Sequence, residues 1–286
     1  LCRRSVNTLQ CGNLTLEMVM TDERPGFGRL EHALAAGARW TDQALCDAWL
    51  AAQASDAEPA ERYTPSDVPA FTMETKDAAR LYGADLVGVA ALDPAWLRAA
   101  PPSDSPFDPA RHTTVVVIAV AMDYRGILES PTMRASAATS AGYSQMAVVA
   151  TGVATFLRAL GYEAIPAGNE IALSVPLAVA AGLGEVGRTG QLITQSFGPR
   201  VRLCKVFTDA PLVSDSPITF GVAAFCQTCR ACIDACGGSA IPEGPPEGED
   251  GRWRIDGSRC REFWRANGAS CANCLAQCPY NIPPSP

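Results

Sequence analysis

The sequence predicts a large core of mixed helices and strands, of the α/β or α+β class, followed by a small cysteine-rich module. Helical and strand-like segments alternate through most of the chain, and residues 113–122 (TTVVVIAVAM) form a continuous β-branched run typical of a strand buried on both faces. Eight of the 12 cysteines then fall between residues 226 and 279. We therefore expect the core to occupy residues 1–219 and the module residues 220–286.

The elements of the core follow from periodicity, β-branched runs and helix-breaking residues. An alanine-rich stretch without proline predicts the first helix, Gly83 and Gly161 end two further helices, and proline-rich segments at 58–69 and 94–109 predict loops. In chain order the predicted elements are helix 30–53, helix 75–82, strand 84–91, strand 113–122, helix 143–160, strand 162–166, helix 174–181, strand 201–208 and a short strand over 218–224.

Composition and charge limit the classes of partner. The chain has 286 residues, 48% of them hydrophobic, which is enough to bury a sizeable core. Its formal net charge is -7, whereas proteins that bind a phosphate backbone carry a basic face. The longest apolar runs, such as residues 114–122, are too short to span a bilayer. The sequence thus predicts a soluble protein that does not bind nucleic acid.

The eight clustered cysteines form two runs with the spacing of iron-sulfur ligands. The first run is Cys226-x2-Cys229-x2-Cys232-x3-Cys236, and the second is Cys260-x10-Cys271-x2-Cys274-x3-Cys278, followed by Pro279. Closely spaced thiolates with a remote fourth one are the ligation pattern of two-cluster bacterial ferredoxins. The spacing predicts two 4Fe-4S clusters with crossed ligands, one held by Cys226, Cys229, Cys232 and Cys278, and the other by Cys236, Cys260, Cys271 and Cys274.

Two other uses of cysteine fit this region less well. Paired C-x2-C motifs also bind structural zinc, but zinc requires neither eight thiolates in this order nor the Cys-Pro ending. Disulfide frameworks belong to small chains that lack a core, unlike this one. Cys260 is the least regular ligand, since it lies far before Cys271. Gly237, and not proline, follows Cys236.

Several weaker signals are interpreted without a ligand. Residues 182–187 (GLGEVG) lack a preceding strand and an acidic residue about 20 positions on within a following strand, so they predict a helix-ending turn and not a dinucleotide loop. Arg3-Arg4 is followed by no sustained apolar segment, so we do not interpret it as a twin-arginine signal. The remaining cysteines are interpreted as structural thiols; they are Cys2, Cys11, Cys46 and Cys204.

Three stretches resemble the catalytic subunit of the corrinoid-dependent reductive dehalogenases. They are AGYSQMAVVA (141–150), ALSVPLAVAAGLGEVGRTGQLITQSFGPRVRLCKVFTDAPL (172–212) and CREFWRANGASCANCLAQCPYN (260–281), with a fainter match at RPGFGRLEHALAAGARW (24–40). The resemblance covers about the C-terminal half of the chain, and its motifs are specific in combination.

This resemblance implies a nitroreductase-like α/β core that holds cobalamin with its lower nucleotide base off the cobalt. Neither His32 nor His112 lies in a D-x-H-x-x-G segment that would supply a lower axial ligand, so both are interpreted as ordinary surface or helix-face residues. The implied reaction is reductive dehalogenation of an organohalide by cob(I)alamin, in which R-X, two electrons and a proton give R-H and halide. Electrons would arrive through the two 4Fe-4S clusters.

The same resemblance implies the partners and the location. The partners are a small organohalide, an external low-potential electron donor and a candidate membrane anchor subunit. The location implied by the family is the outer face of the cytoplasmic membrane, reached by the twin-arginine route. Without that resemblance the expectation is the cytoplasm.

Four residues match catalytic positions of the family. Tyr143, in the GYSQM context, matches the proton-donating tyrosine, and Asn169 matches an asparagine beside the substrate. The cation that polarises the tyrosine is either Arg202 or Lys205, with Arg202 preferred. These two lie on opposite faces of a strand by parity, so only one should face the pocket. The stretch that lines the corrinoid matches Gly184, Gly187, Arg188, Gly190, Phe197, Gly198 and Arg200.

Other interpretations of these residues and of the whole chain stay open. Tyr143 could cap a helix with its ring half-buried, and Asn169 could be a turn residue. Epoxyqueuosine reductase is another cobalamin enzyme with two clusters and a related core, but it acts on tRNA and should need a basic surface. A plain ferredoxin-type electron carrier would leave the large core without a function.

Overall fold

The computed structural model describes residues 24–53, 61–99, 105–246 and 251–283, with the side chains of 46–53 excepted. Cys2, Arg3, Arg4 and Cys11, and the side chain of Cys46, lie outside the described part. The helices are α1 (Arg29–Gln53), α2 (Val68–Leu81), α3 (Tyr124–Leu128), α4 (Met133–Ala159), α5 (Ser174–Ala180), α6 (Val222–Thr228), α7 (Ala231–Asp234), α8 (Gly257–Asn267) and α9 (Asn273–Ala276). The strands are β1 (Leu86–Ala91), β2 (Thr114–Ala121), β3 (Ala164–Ala167), β4 (Glu185–Val186), β5 (Leu192–Ile193) and β6 (Val201–Thr208).

A four-stranded sheet in the order β1-β2-β6-β3 forms the centre of the core. All of its pairings are antiparallel, so of the two predicted classes the α+β description fits this sheet. The central pair runs from Thr114 opposite Thr208 to Ala121 opposite Val201. The prediction that residues 113–122 form a strand buried on both faces is confirmed, because every residue from 115 to 120 is buried.

Alternate residues of the central strands pack on opposite faces of the sheet. On one face Val116 and Val206 pack with residues of α2 and α4. On the other face Val117 and Phe207 pack with Leu177 of α5. Burial of each such side chain contributes about 1.5–3 kcal/mol, so helices on both faces stabilise the sheet that carries the site.

Two helices begin earlier than predicted, and one predicted strand is wrong. α4 begins at Met133 and not at 143, because the intervening residues are mainly alanine and serine, which a helix tolerates. α2 begins at Val68, where the Asp67 side chain accepts the Ala70 N–H at 2.9 Å and caps the helix. Residues 218–224 form no strand, since Gly221, with φ of 89°, precedes α6.

The cysteine module packs directly on the core. Leu275 and Ala276 of α9 are buried against Met122, which follows β2, and against Ile127 of α3. The hydroxyl of Ser130 accepts the Ala272 N–H at 2.7 Å. Apolar contacts and a hydrogen bond therefore hold the second cysteine run on the core. Across the described ranges, no helix combines the length and the apolar character that a membrane span needs.

Candidate active site between the core and the cysteine module

A cavity of ≈ 160 Å³ lies where the beginning of β6 meets α4, α5 and the cysteine module. Its polar lining includes the side chains of Tyr143, Asn169, Ser174, Gln191 and Arg202, and its apolar lining includes Leu192, Leu203 and Leu275. Apolar walls with a few converging polar groups are typical of a small-molecule site. The cavity thus unites residues of the core with a residue that directly follows Cys274.

Tyr143 and Arg202 form a cation–π pair in this cavity. Arg202 Cζ lies 4.4 Å from the centre of the Tyr143 ring, a geometry in which the cation is attracted to the ring face. The absence of a side chain at Gly142 permits the approach, since a Cβ there would lie 3.1 Å from Arg202 Cγ. The preferred predicted pair is therefore brought together, with the guanidinium over the ring.

Lys205 lies on the opposite face of β6, as parity predicts. Its side chain is 0% exposed, and its Nζ donates to Ser174 Oγ at 2.7 Å and to the carbonyl of Gly168. Burial lowers the pKa of Lys205 to about 8, while the charge of Glu170 opposes this change. Lys205 is thus not beside Tyr143, and its assignment as an alternative partner of the tyrosine is corrected.

Asn169 lies at the mouth of the cavity, between β3 and α5. Its Oδ1 accepts a hydrogen bond from Ser174 Oγ at 2.6 Å. Its backbone carbonyl accepts one from Arg98 Nε at 2.9 Å. The side chain is therefore held at the cavity although the residue itself is exposed.

Two further residues at the site were not predicted. Burial raises the pKa of Asp42 on α1, and the positive charge of Arg202 opposes this change, so Asp42 lies within electrostatic reach of the guanidinium. Gln191 Oε1 is buried in the cavity wall and has no hydrogen-bond partner in the described part of the chain. Gln191 lies within the family-like stretch 172–212 and could have been found there, whereas Asp42 lies outside every matching stretch.

Arg188, predicted to line the corrinoid, binds the cysteine module instead. It is 3% exposed, and its guanidinium lies 4.6 Å from the centre of the Trp253 ring. Its N–H groups donate, at distances from 2.6 to 3.4 Å, to the carbonyls of Cys226, Gln227, Pro242, Glu243 and Gly244. These bonds occupy the guanidinium, so the predicted role of Arg188 is corrected.

The other residues of this stretch also serve packing. A Cβ at Gly198 would clash with the Tyr280 carbonyl, and one at Gly184 with the Ile193 carbonyl. Arg200 is buried and donates to the Met122 and Ile282 carbonyls at 2.8 and 3.2 Å.

The same holds for the last three residues predicted to line the corrinoid. A Cβ at position 187 would lie only 2.9 Å from the Ile193 side chain, so Gly187 is required for packing. Phe197 packs in the core on the α5 face. Gly190 adopts a positive φ of 71° in a turn. The stretch 184–200 therefore contacts the module through Arg188, Gly198 and Arg200, while its residues Gln191 and Leu192 line the cavity.

Cys278 lies within electrostatic reach of the first run of cysteines. Burial, together with the neighbouring sulfurs of Cys226, Cys232 and Cys229, raises the pKa of Cys278 to about 11. Burial also raises the pKa of Cys226, and a hydrogen bond from the Arg188 backbone lowers it in part. The segment that carries Cys278 thus lies near the first run of cysteines.

The second group gathers around Cys274. Burial raises the pKa of Cys274 to about 12, with further contributions from Cys271, Cys232, Cys260 and Cys236. Burial is the main cause that raises the pKa of Cys260, and the charges of Cys271 and Cys236 raise it further. Cys260, the least regular member in sequence, therefore lies with the other three predicted ligands of the second cluster.

Hydrogen bonds to sulfur are found in the second group. The Ala240 N–H donates to Cys236 Sγ at 3.3 Å, and hydrogen bonds from Asn273 and Ser130 oppose the raised pKa that burial gives Cys271. Such bonds tune the potential of a cluster. Among the residues described, no group of three or more His, Cys, Asp or Glu is arranged to hold a metal ion.

Neither histidine lies at the cavity. His32 is buried on α1, as a helix-face residue. His112 is 1% exposed, and the Asp108 N–H donates to its Nδ1 at 2.9 Å, so the prediction of an ordinary surface position is wrong for it. Burial lowers the pKa of His112. Cys204 is fully buried in the core, and burial raises the pKa of its thiol to about 12.

Comparison with curated proteins finds dehalogenases. The tetrachloroethene reductive dehalogenase of Dehalobacter restrictus is 42% identical over 233 residues, which cover 77% of this chain and 40% of that protein. The enzyme of the same name from Sulfurospirillum multivorans is 35% identical over 282 residues, 84% of this chain and 56% of that protein. The chain thus spans about half the length of these relatives. No family model matches the chain.

Comparison with solved structures also finds a reductive dehalogenase. A reductive dehalogenase structure, described as suggesting a mechanism for B12-dependent dehalogenation, matches with a TM-score of 0.77 at 26% identity, over 89% of this chain and 38% of that chain. Epoxyqueuosine reductase from Streptococcus thermophilus matches with a TM-score of 0.50 at 18% identity, over 74% of this chain and 67% of that chain, which shows a shared fold alone. With relatives at 35–42% identity and this structural match, the chain belongs to the corrinoid-dependent reductive dehalogenase family.

Proposed function

We propose that the chain catalyses reductive dehalogenation of a small organohalide, in which R-X, two electrons and one proton give R-H and halide. The observation that carries this proposal is the cavity in which Tyr143 and Arg202 meet Leu275, the residue that follows Cys274. A proton donor and the cysteine module adjoin one site there. A reaction that consumes both a proton and electrons requires this juxtaposition.

The proposed electron carriers are two 4Fe-4S clusters with the crossed ligands predicted above. The proposal is supported by the proximity of the cysteines to one another. Besides burial, the charges of Cys226, Cys229 and Cys232 raise the pKa of Cys278, and those of Cys271 and Cys236 raise the pKa of Cys260. The proposal rests on the order and spacing of the eight cysteines, in which closely spaced thiolates are combined with a remote fourth one.

We expect about eight iron atoms per chain after anaerobic reconstitution with iron and sulfide, because two 4Fe-4S clusters are proposed. Iron and acid-labile sulfide are measured together with zinc on the same sample. About four irons, or stoichiometric zinc, would contradict the two-cluster proposal.

Replacing Cys278 by serine should disturb the first cluster and spare the second. Cys278 lies with Cys226, Cys229 and Cys232, and serine removes the fourth thiolate with little change in volume. Electron paramagnetic resonance of the reduced protein separates the two centres. The matched variant Cys260→Ser should disturb the other centre, and the same signal changing in both variants would overturn the crossed assignment.

We propose that the corrinoid lies against one wall of the cavity. Leu192, Leu203 and Leu275 offer an apolar surface to a flat ring, and the buried Gln191 Oε1 offers an acceptor to amide groups at its edge. The volume of ≈ 160 Å³ is below the roughly 300–1,000 Å³ of common ligand pockets, so these residues contribute one side of the site. When bound, cobalamin supplies a strong reductant for the carbon–halogen bond, and we propose the base-off form.

We assign the proton to Tyr143. Its hydroxyl hydrogen passes to the carbon that loses halide, and the guanidinium of Arg202 lies over the tyrosine ring as the neighbouring cation. Solvent restores the proton after product release. The apolar side chains of the cavity limit water near the reacting carbon, which suits a weakly polar halocarbon.

The substrate and partners follow from the relatives. Those at 35–42% identity are named for tetrachloroethene, and one solved dehalogenase was in complex with 3-bromo-4-hydroxybenzoic acid. We propose a small halogenated alkene or arene, an external low-potential electron donor and no nucleic acid. The membrane anchor subunit and the outer face of the membrane are proposed on family resemblance alone.

The deciding experiment is anaerobic reconstitution with iron, sulfide and cobalamin, followed by a chloride assay with tetrachloroethene and reduced methyl viologen. Chloride release that depends on both cofactors supports the proposal. A loaded protein that releases no halide contradicts it, and failure to take up cobalamin would favour a plain electron carrier. The epoxyqueuosine reductase alternative has a match of 37% identity over only 29% of this chain, and epoxyqueuosine tRNA as the better substrate would favour it.

A further inference from the structure

Lys205 lies behind the candidate active site and has no part in the reaction proposed above. It is fully buried on the α5 side of β6, where its Nζ donates to Ser174 Oγ and to the Gly168 carbonyl. A buried cation is costly unless it is hydrogen-bonded, and an apolar side chain would fill the position without that cost. Both acceptors belong to the segment between β3 and the first residue of α5, so the lysine holds that segment.

The Glu170 carboxylate strengthens the same turn from the other side. Its Oε1 accepts the Gly168 N–H at 2.8 Å, and its charge favours the protonated form of Lys205. Gly168 is therefore bound through its N–H by Glu170 and through its carbonyl by Lys205. The neighbouring residue Asn169 is carried by a turn fixed at both ends.

Ser174 connects Lys205 to the side chain of Asn169. An ammonium group has donors only, so Ser174 Oγ accepts from Nζ and has one hydrogen of its own to donate. Two acceptors are in reach, Asn169 Oδ1 at 2.6 Å and the Gly168 carbonyl at 3.4 Å. An O–H···O bond spans about 2.5–3.0 Å, so the hydrogen goes to Asn169 Oδ1.

This bond fixes which way the Asn169 amide faces. The two ends of an amide have nearly the same shape, and only hydrogen bonds distinguish them. With Oδ1 bound to Ser174, the NH2 group holds the donors of a side chain that lines the cavity with Tyr143 and Arg202. Without the serine hydroxyl, an exposed asparagine would present its oxygen as readily as its nitrogen.

We propose that Lys205 and Ser174 are positioning residues for Asn169, which they hold with its NH2 group toward the cavity as a hydrogen-bond donor to the halogen-bearing substrate. This inference rests on the proposed function and extends it. Asn169 then adds a donor to those of Tyr143 and Arg202 at the cavity, so an acceptor on the substrate is favoured over a donor at this position.

The test is a double-mutant cycle of Ser174→Ala and Asn169→Ala in the fully loaded protein. We expect Ser174→Ala to lower kcat/KM for tetrachloroethene about 3- to 10-fold, the worth of one net hydrogen bond. On the Asn169→Ala background the same change should have almost no effect, because the serine acts through the asparagine. Ser174→Thr, which keeps the hydroxyl, should restore most of the rate, and Lys205→Met should resemble Ser174→Ala if it folds.

Thr75→Val is the matched control, since Thr75 is equally buried but bonds to the Phe71 carbonyl on α2. Additive losses at 174 and 169, or a loss in the control as large as in Ser174→Ala, would overturn the positioning role. The Kd of tetrachloroethene for the oxidised protein gives a readout without turnover, and we expect it to weaken about 3- to 10-fold in Ser174→Ala. If the loaded wild type releases no halide, the proposed function fails, and this Kd then decides the positioning role by itself.

Discussion

Tyr143→Phe is expected to lower halide release by about 10²- to 10⁴-fold, the usual contribution of general acid catalysis. Phenylalanine keeps the ring, its packing against the core and its contact with Arg202, and it removes only the hydroxyl. Iron and cobalamin contents should therefore equal those of the wild type. The loss is measured as chloride released per minute under reducing conditions, with both cofactors quantified on the same sample.

Tyr82→Phe is a matched control for this experiment. Tyr82 packs against the same core cluster as Tyr143 but does not line the cavity, so its variant should release halide at nearly the wild-type rate. A Tyr143→Phe protein with full cofactors and an almost unchanged rate would make the tyrosine structural. Water would then be the next proton source to test, because Lys205 is buried behind the cavity.

Part of the site could be predicted from the sequence, because it depends only on the alternation of side chains along a strand and on the spacing of cysteines. Parity along a strand separates Arg202 from Lys205, and β6 spans the predicted residues 201–208. Cysteine spacing also predicts that Cys278 joins the first run, and Cys278 lies within electrostatic reach of Cys226, Cys232 and Cys229. In these cases the predicted relation depends on one strand or one short loop, and no distant contact alters it.

The function of the stretch 184–200 could not be predicted in the same way. Glycine indicates that another group approaches the backbone, but it does not indicate which group. Here the group near Gly198 is the Tyr280 carbonyl, and the group near Gly184 is the Ile193 carbonyl. Buried arginines are similarly ambiguous, since a guanidinium serves a ligand or a set of carbonyls equally well.

The orientation of Asn169 also lay beyond sequence reasoning. We propose that it depends on Ser174, which bonds to Asn169 Oδ1, and on Lys205, which reaches Ser174 from the distant strand β6. The early start of α4 has a different origin. The propensity of its first alanines and serines is weak evidence in isolation, and packing of Met133 and Ala137 with Phe27 supports that segment in the folded chain.

We expect the Arg188→Met variant to lose the first cluster and to retain the second. Methionine keeps much of the side-chain volume but removes every donor, so partly buried carbonyls of the first cysteine run and of residues 242–244 lose their partner. Each buried acceptor left unsatisfied costs about 1–3 kcal/mol. We expect iron to fall to about four atoms per chain and the thermal midpoint to fall with it.

Arg230→Met separates this effect from a general need for positive charge in the module. Arg230 lies within the first cysteine run but is exposed, and it pairs with Asp234 and Glu243 at 3.4 Å. Exposed pairs contribute about 0–1 kcal/mol, so this variant should keep its iron. If Arg188→Met also kept full iron and the wild-type midpoint, the carbonyls of Cys226 and Gln227 would have found other partners. The first cysteine run would then hold its shape through its own turns, and the buried guanidinium would not be what joins the module to the core.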